Sequence, residues 1–176
     1  WSYDIPKFPT FNGSASIRWT DLNMLNLGNN RLSFNYLSAK QELYLSNIKW
    51  KQLDIRGGIR NEVLRMGNVQ CQMQDCYNLN LLSNDFVSAF IDAGTYTFDD
   101  GYFPTRGVSA GLSYSWTFTG FPHRFNNFHT VTADAKVVVP IGDIFAFIPS
   151  FDCRFLIGND IPVPFFNAVG GSLPSR

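Results

Sequence analysis

The stretch that decides the fold runs from Gly107 to Phe118 and reads GVSAGLSYSWTF. Every even position from Val108 onward is apolar, and nearly every odd position is Ser, Gly or Thr. Because successive side chains of a β-strand point to opposite faces, this alternation predicts one apolar face and one face of small polar groups. We expect Leu112, Tyr114 and Trp116 on the apolar face, with Ser113 and Ser115 opposite them.

The same alternation recurs in residues 51–65, 129–139 and 144–157. These runs are about a dozen residues long, whereas strands of soluble proteins usually have about 5–6. A strand that crosses a bilayer needs roughly 9–11 residues. In residues 51–65 the polar face mixes Asp54 with Arg56 and Arg60 with Glu62, which fits the interior of a barrel where charges pair. The pattern predicts an all-β antiparallel meander that forms part of a transmembrane β-barrel.

The composition narrows the class of protein. The chain has 176 residues, of which 45% are hydrophobic, 16% aromatic and 16% charged. The 14 Lys and Arg residues balance the 14 Asp and Glu residues, so no excess positive charge is present to bind nucleic acid. No apolar run is long enough for a transmembrane helix, the first residues do not resemble a signal peptide, and helical periodicity is absent.

The expected connections alternate in length along the chain. Asp99-Asp100-Gly101 predicts a two-residue hairpin turn, and residues 140–143 predict another short turn. Longer links are expected at about residues 67–85, 119–128 and 158–176. Short turns at one end and long loops at the other are typical of transmembrane barrels. The first thirty residues are expected to be an irregular lead-in, with at most a short strand near Ser14 to Thr20.

Candidate chemistry is sparse. Residues 107–111 match the Gly-x-Ser-x-Gly pattern of acyl hydrolases, with Ser109 as the nucleophile. That motif needs a sharp strand-to-helix turn, whereas the alternation here continues straight through it. Cys71 and Cys76 could form a disulfide or remain free thiols, and His123 and His129 show no zinc-like spacing. We therefore expect no catalytic residue, metal or cofactor. A soluble β-barrel or sandwich that binds a ligand in an aromatic interior, and a hydrolase using Ser109, remain as alternatives.

Two segments carry a family resemblance. The first is Phe103-Pro104-Thr105-Arg106-Gly107, which follows a turn and opens a strand. The second is a Pro-Phe stretch at residues 161–166 that leads to Gly170, Gly171 and Arg176. Together they resemble the bacterial surface-antigen superfamily of barrels, the group that contains the outer-membrane insertases BamA and TamA. The resemblance covers about residues 86–176. Residues 1–85 are compatible with the family only in their succession of strands and connections.

The resemblance implies a fold, a location and a role. The family barrel has roughly sixteen strands, so residues 1–176 would form a partial barrel domain of six to nine strands in the bacterial outer membrane. An outer loop carrying Gly170, Gly171 and Arg176 would fold into the lumen, where Arg176 would contact acidic groups. Implied partners are membrane lipid and other outer-membrane proteins or an upstream domain, without nucleic acid. The segment would act in anchoring, insertion or translocation and would not itself catalyse.

The end of the second segment points to a subtype. Leu173-Pro174-Ser175 differs from the corresponding sequence motif of the insertases. The spacing from Val169 through Gly170 and Gly171 to Arg176 resembles barrels fused behind patatin-like phospholipase domains.

Overall fold

Eight β-strands follow the alternation of apolar and polar residues in the part of the chain that the structure describes. The structure is a computed structural model, and it describes residues 8–25, 31–71, 83–101, 104–121, 127–142, 145–159, 161–162 and 165. The strands are β1 (Thr10–Leu25), β2 (Arg31–Trp50), β3 (Leu53–Cys71), β4 (Asn84–Tyr96), β5 (Gly107–Phe121), β6 (Phe128–Ile141), β7 (Phe145–Phe147) and β8 (Ser150–Gly158).

The strands form one antiparallel meander in chain order from β1 to β6. The last residues of β6 pair with β7, and its first part pairs with β8. Pro149 separates β7 from β8 because proline has no N–H for the ladder, while its carbonyl still accepts the Val137 N–H at 3.1 Å. The predicted all-β antiparallel meander is confirmed, and its open sheet is consistent with part of a barrel.

The two faces of the sheet differ as the sequence predicts. We call the face that carries Leu112, Tyr114 and Trp116 the apolar face, and all three side chains are exposed there. Val108 and Phe147 are also exposed and Val131 is half-buried, so these residues do not enclose a sealed apolar interior. Across the described ranges, no helix is long and apolar enough to span a bilayer. The other large apolar side chains exposed on this face include Ile17, Trp19, Leu43, Ile59, Ile91, Phe151, Phe155 and Ile157.

The opposite side, which we call the polar face, carries small hydroxyl and charged side chains. Ser115, Thr117 and Thr130 are buried there, and the Ser88 and Thr117 hydroxyls are 2.9 Å apart in a hydrogen bond. Glu42 is also buried on this face. The expected position of Ser115 opposite Trp116 is therefore confirmed.

The prediction of an irregular lead-in is wrong for the residues described, because β1 runs from Thr10 to Leu25 and pairs with β2 along its whole length. Its apolar face mixes Ile17 and Trp19 with Gly13 and Ala15, and these small residues weaken the pattern. The link expected at residues 67–85 is also shorter, since β3 extends to Cys71 and β4 begins at Asn84.

The expected two-residue turn at Asp99-Asp100-Gly101 is wrong as well. The connection from β4 to β5 spans residues 97–106, and Gly101 does not have a positive φ. Two further backbone bonds extend the ladder, from Thr97 N–H to Val108 O at 2.9 Å and from Asp99 N–H to Arg106 O at 3.3 Å. The other short turn is confirmed, because Gly142 (φ 66°) follows β6 and β7 begins at Phe145.

Candidate functional site

A charged cluster centred on Glu42 lies on the polar face across β1, β2 and β3. Its carboxylate is 2.7 Å from Arg60 Nε and 2.8 Å from Lys40 Nζ. The Ser14 hydroxyl donates to the same carboxylate at 3.3 Å. Glu42 is only 7% exposed, so these cations compensate a carboxylate that is largely removed from solvent.

A second ion pair lies on the same face between β3 and β4. Arg56 Nε is 2.8 Å from Asp92 Oδ2, and the Ser113 hydroxyl of β5 donates to Asp92 Oδ1. Arg60 covers the ring of Phe90, with its guanidinium carbon 4.6 Å from the ring centroid. The arrangement gives a polar wall of paired charges, in which cations also stack on aromatic rings.

The sequence predicted opposite charges on this face but not their partners. The runs that it identified as strands contain Arg56 and Arg60, whereas their observed partners Asp92 and Glu42 lie on β4 and β2. Those two strands were not identified from the alternation. The cross-strand register Glu42↔Arg60 and Arg56↔Asp92 decides the pairing.

An apolar cluster interrupts the polar face at one end of the sheet. Leu64, Phe86 and Phe128 are almost completely buried, and the chain after β8 returns to cover them with Ile161. The Phe165 ring packs edge-on against Phe86 at 5.1 Å and against Phe128 at 4.9 Å between centroids. Ile161 and Phe165 are therefore held against the polar face by apolar and aromatic packing.

Gly158 allows this return. It is the register partner of Phe128 at the end of β8. A Cβ atom at this position would lie 2.7 Å from the Phe128 Cβ, closer than real atoms approach. Glycine therefore lets β8 end tightly against the cluster.

The Phe103–Gly107 motif lies at the entrance of β5. Phe103 is outside the described residues, and Pro104 lies just before the strand, which begins at Gly107. Gly107 has a φ of 121°, a backbone conformation that only glycine adopts readily. The role of Phe103, Pro104, Thr105, Arg106 and Gly107 as a family strand entrance remains a prediction.

Asp99 organises this connection outside the strands. Its carboxylate accepts hydrogen bonds from the Thr105 N–H at 2.9 Å, the Thr105 hydroxyl at 2.5 Å and the Arg106 N–H at 3.2 Å. The Thr105 hydroxyl bond is the largest influence, and with the backbone donors it lowers the pKa of Asp99 from 3.8 to about 2. The ionised form is therefore the one that holds the turn.

We expect Asp99→Asn to remove a pH-dependent part of the stability. Because the folded pKa lies below the unfolded value, the ionised carboxylate stabilises the turn fully above about pH 4, and this is lost as the pH falls toward 2. The denaturant midpoint of wild type should exceed that of the variant at pH 6 and approach it at pH 2. A gap of equal size at both values would contradict this role of the carboxylate.

The candidate hydrolase residues are not assembled. Ser109 lies within β5, in register with Tyr96 and Lys136, and not at a strand-to-helix turn. His129 pairs with Trp116 and shares the apolar face, whereas Ser109 shares the polar face with Ser113. His123 and Cys76 lie outside the described residues, and so does the side chain of Cys71, so a bridge between the two cysteines remains a prediction.

The family of the chain follows from a comparison with known protein families. A model of the OMP85 superfamily matches residues 1–172, which is nearly the whole length. The chain belongs to the OMP85 superfamily. No curated protein and no solved structure matches the chain.

Membership in the OMP85 superfamily confirms the coarser part of the expected resemblance. Members of the superfamily are outer-membrane proteins, so membership supports an outer-membrane β-barrel with a role of the insertion or translocation type. The OMP85 match also includes residues 1–85, where the sequence analysis found only a compatible succession of strands and connections. Gly170, Gly171 and Arg176 lie outside the described residues, so their place in a lumen loop remains a prediction.

Proposed function

We propose that this segment forms part of the wall of a lipid-embedded barrel that anchors the protein in the bacterial outer membrane and takes part in inserting or translocating a protein. The observation that carries the proposal is the exposed apolar face of a meander whose other face holds paired charges. In water such a face would be costly, whereas acyl chains cover it without cost. The polar face would then line the lumen.

Ile161 and Phe165 indicate what the lumen would contain near one opening. They pack against Phe86 and Phe128 on the polar face, so this segment would occupy part of the lumen there. A segment in this position limits the space through which a polypeptide could pass.

An arginine scan of matched positions tests which face meets lipid. Leu112→Arg places a charge on the apolar face near the middle of β5, and we expect it to destabilise the barrel by about 2 kcal/mol or more. Asp152→Arg places the same side chain on the polar face, opposite Asp134 in register, and should be tolerated. The measurement is urea unfolding of the full-length protein in lipid vesicles.

The contrast between the two variants is the decisive result. If Asp152→Arg were the damaging substitution and Leu112→Arg were neutral, the polar face would be the one in contact with lipid or a packed core. Monodisperse behaviour of the wild-type protein without detergent would also contradict the proposal.

We further propose that the barrel lies C-terminal to a patatin-like phospholipase domain, and that this segment contributes no catalytic residue. The sequence motif from Val169 to Arg176 supports the fusion. Partners would be membrane lipid and either the upstream domain or other outer-membrane proteins, without nucleic acid. The sequence of the full-length gene product tests the fusion directly, because an upstream region without a patatin-like domain would contradict it.

A further inference from the structure

A small aromatic group with polar atoms lies at one end of the apolar face. Tyr114 and Trp116 of β5 flank His129 of β6, and all three share that face. The His129 ring stacks near Tyr114 (centroids 5.9 Å apart, planes 21° apart) and near Trp116 (6.3 Å and 14°). The group lies where β5 and β6 approach their connection at residues 122–127.

One hydrogen bond fixes the group. The Tyr114 hydroxyl and His129 Nδ1 are 2.8 Å apart. A neutral imidazole and a phenol together carry two polar hydrogens, and their mutual bond uses one of them. Either tautomer therefore leaves one hydrogen free, on His129 Nε2 or on the Tyr114 oxygen.

A second donor lies beside the first. The Trp116 indole N–H is a donor only, and it has no hydrogen-bond partner among the residues that the structure describes. Tyr114 and Trp116 are 39% and 41% exposed, so the group is open to its surroundings. Two neighbouring donors that find no acceptor among the described residues favour a ligand that carries acceptor oxygens.

The surroundings indicate which ligand this is. His129 is in register with Ile157 of β8, and Val131 beside it is in register with Phe155. Ile157 and Phe155 are exposed, so an apolar track leads away from the donors along the sheet. A molecule that joins acceptor oxygens to long apolar chains fits both the donors and the apolar track.

We propose that Tyr114, Trp116 and His129 form a headgroup site for one membrane phospholipid, with the donors on its phosphate and its acyl chains on the track of Ile157 and Phe155. The inference rests on the proposed function, because it requires the apolar face to lie in lipid. The phosphate is the preferred acceptor since hydrogen bonds to a charged group are stronger than those to a neutral ester.

The test is native mass spectrometry of the full-length protein in mild detergent with added phosphatidylglycerol. The variant His129→Leu places an apolar side chain at this position and removes both ring nitrogens, and we expect about ten-fold weaker lipid retention. Tyr114→Phe should show a smaller loss. Tyr96→Phe is a control for the loss of a tyrosine hydroxyl away from the site, because Tyr96 is exposed and in register with Ser109 on the polar face, and it should retain lipid as wild type does.

A parallel titration with diacylglycerol, which lacks the phosphate, should give retention as weak as that of His129→Leu. Equal retention of phosphatidylglycerol by wild type and His129→Leu, or equal retention of the two lipids by wild type, would overturn the site while leaving the lipid-facing wall intact. Failure of wild type to retain any lipid would instead overturn both this site and the proposed function.

Discussion

Phe86→Ala is expected to destabilise the folded barrel by about 3–5 kcal/mol, the usual cost of truncating a buried phenylalanine. The Phe86 side chain is 0% exposed and packs between Leu64, Phe128 and Phe165 on the polar face. Its removal leaves a cavity and also removes one of the two rings that pack against Phe165. Urea unfolding in lipid vesicles measures the loss.

A matched control separates this effect from the loss of any aromatic ring. Phe155→Ala removes the same side chain from β8, where it is 60% exposed on the apolar face, and the change should be much smaller. Hydrogen exchange should also show faster exchange at the Phe165 amide, which donates to Pro162 O at 2.9 Å, only in Phe86→Ala. Equal destabilisation by the two variants would contradict a packed cluster on the polar face.

Glu42→Gln is expected to destabilise the barrel by about 3 kcal/mol. The substitution leaves Arg60 and Lys40 without the carboxylate that compensates them, and breaking a buried ion pair costs about 3–5 kcal/mol. We expect the lower end of that range because the Lys40 side chain is 36% exposed and can turn toward water. The measurement is again the urea midpoint in vesicles.

The control for Glu42 is an exposed ion pair on the same sheet. Lys49 Nζ is 3.8 Å from Asp54 Oδ1, and the two side chains are 58% and 69% exposed. Asp54→Asn should therefore cost less than about 1 kcal/mol. If both substitutions had the same small effect, the Glu42 cluster would be screened by water and would contribute no more to the stability of the barrel than an exposed ion pair does.

The class of fold was predictable because alternation is a local property of the chain. Residues 107–118 were sufficient to assign a two-faced strand, and the shared face of Leu112, Tyr114 and Trp116 follows from their parity alone. That this face is exposed came only from the structure. The same reasoning failed at β1, where glycine and alanine on the apolar face hide the period. It also failed at residues 99–101, because an Asp-Gly pair favours a two-residue turn locally, whereas the last backbone bond of the ladder joins Asp99 to Arg106 and leaves a longer loop.

The candidate site was predictable only in kind. Mixed charges on one face predicted a wall of paired ions, but Glu42 and Asp92 were not identified as partners. Leu64, Phe86 and Phe128 occupy polar-face positions and break the alternation, so their sequence context gave no reason to group them. Ile161 and Phe165, which complete the cluster, follow β8 in a segment without periodicity.

The sequence by itself determined that the chain forms long two-faced strands, because the direction of each side chain depends only on its position along an extended backbone. The tertiary structure alone decided which side chains meet. Pairing depends on register, and β-bulges between Leu45 and Ile48 and between Val87 and Ser88 shift that register between neighbouring strands. The resulting register brings Glu42 to Arg60, and the return of the chain after β8 brings Phe165 to Phe86.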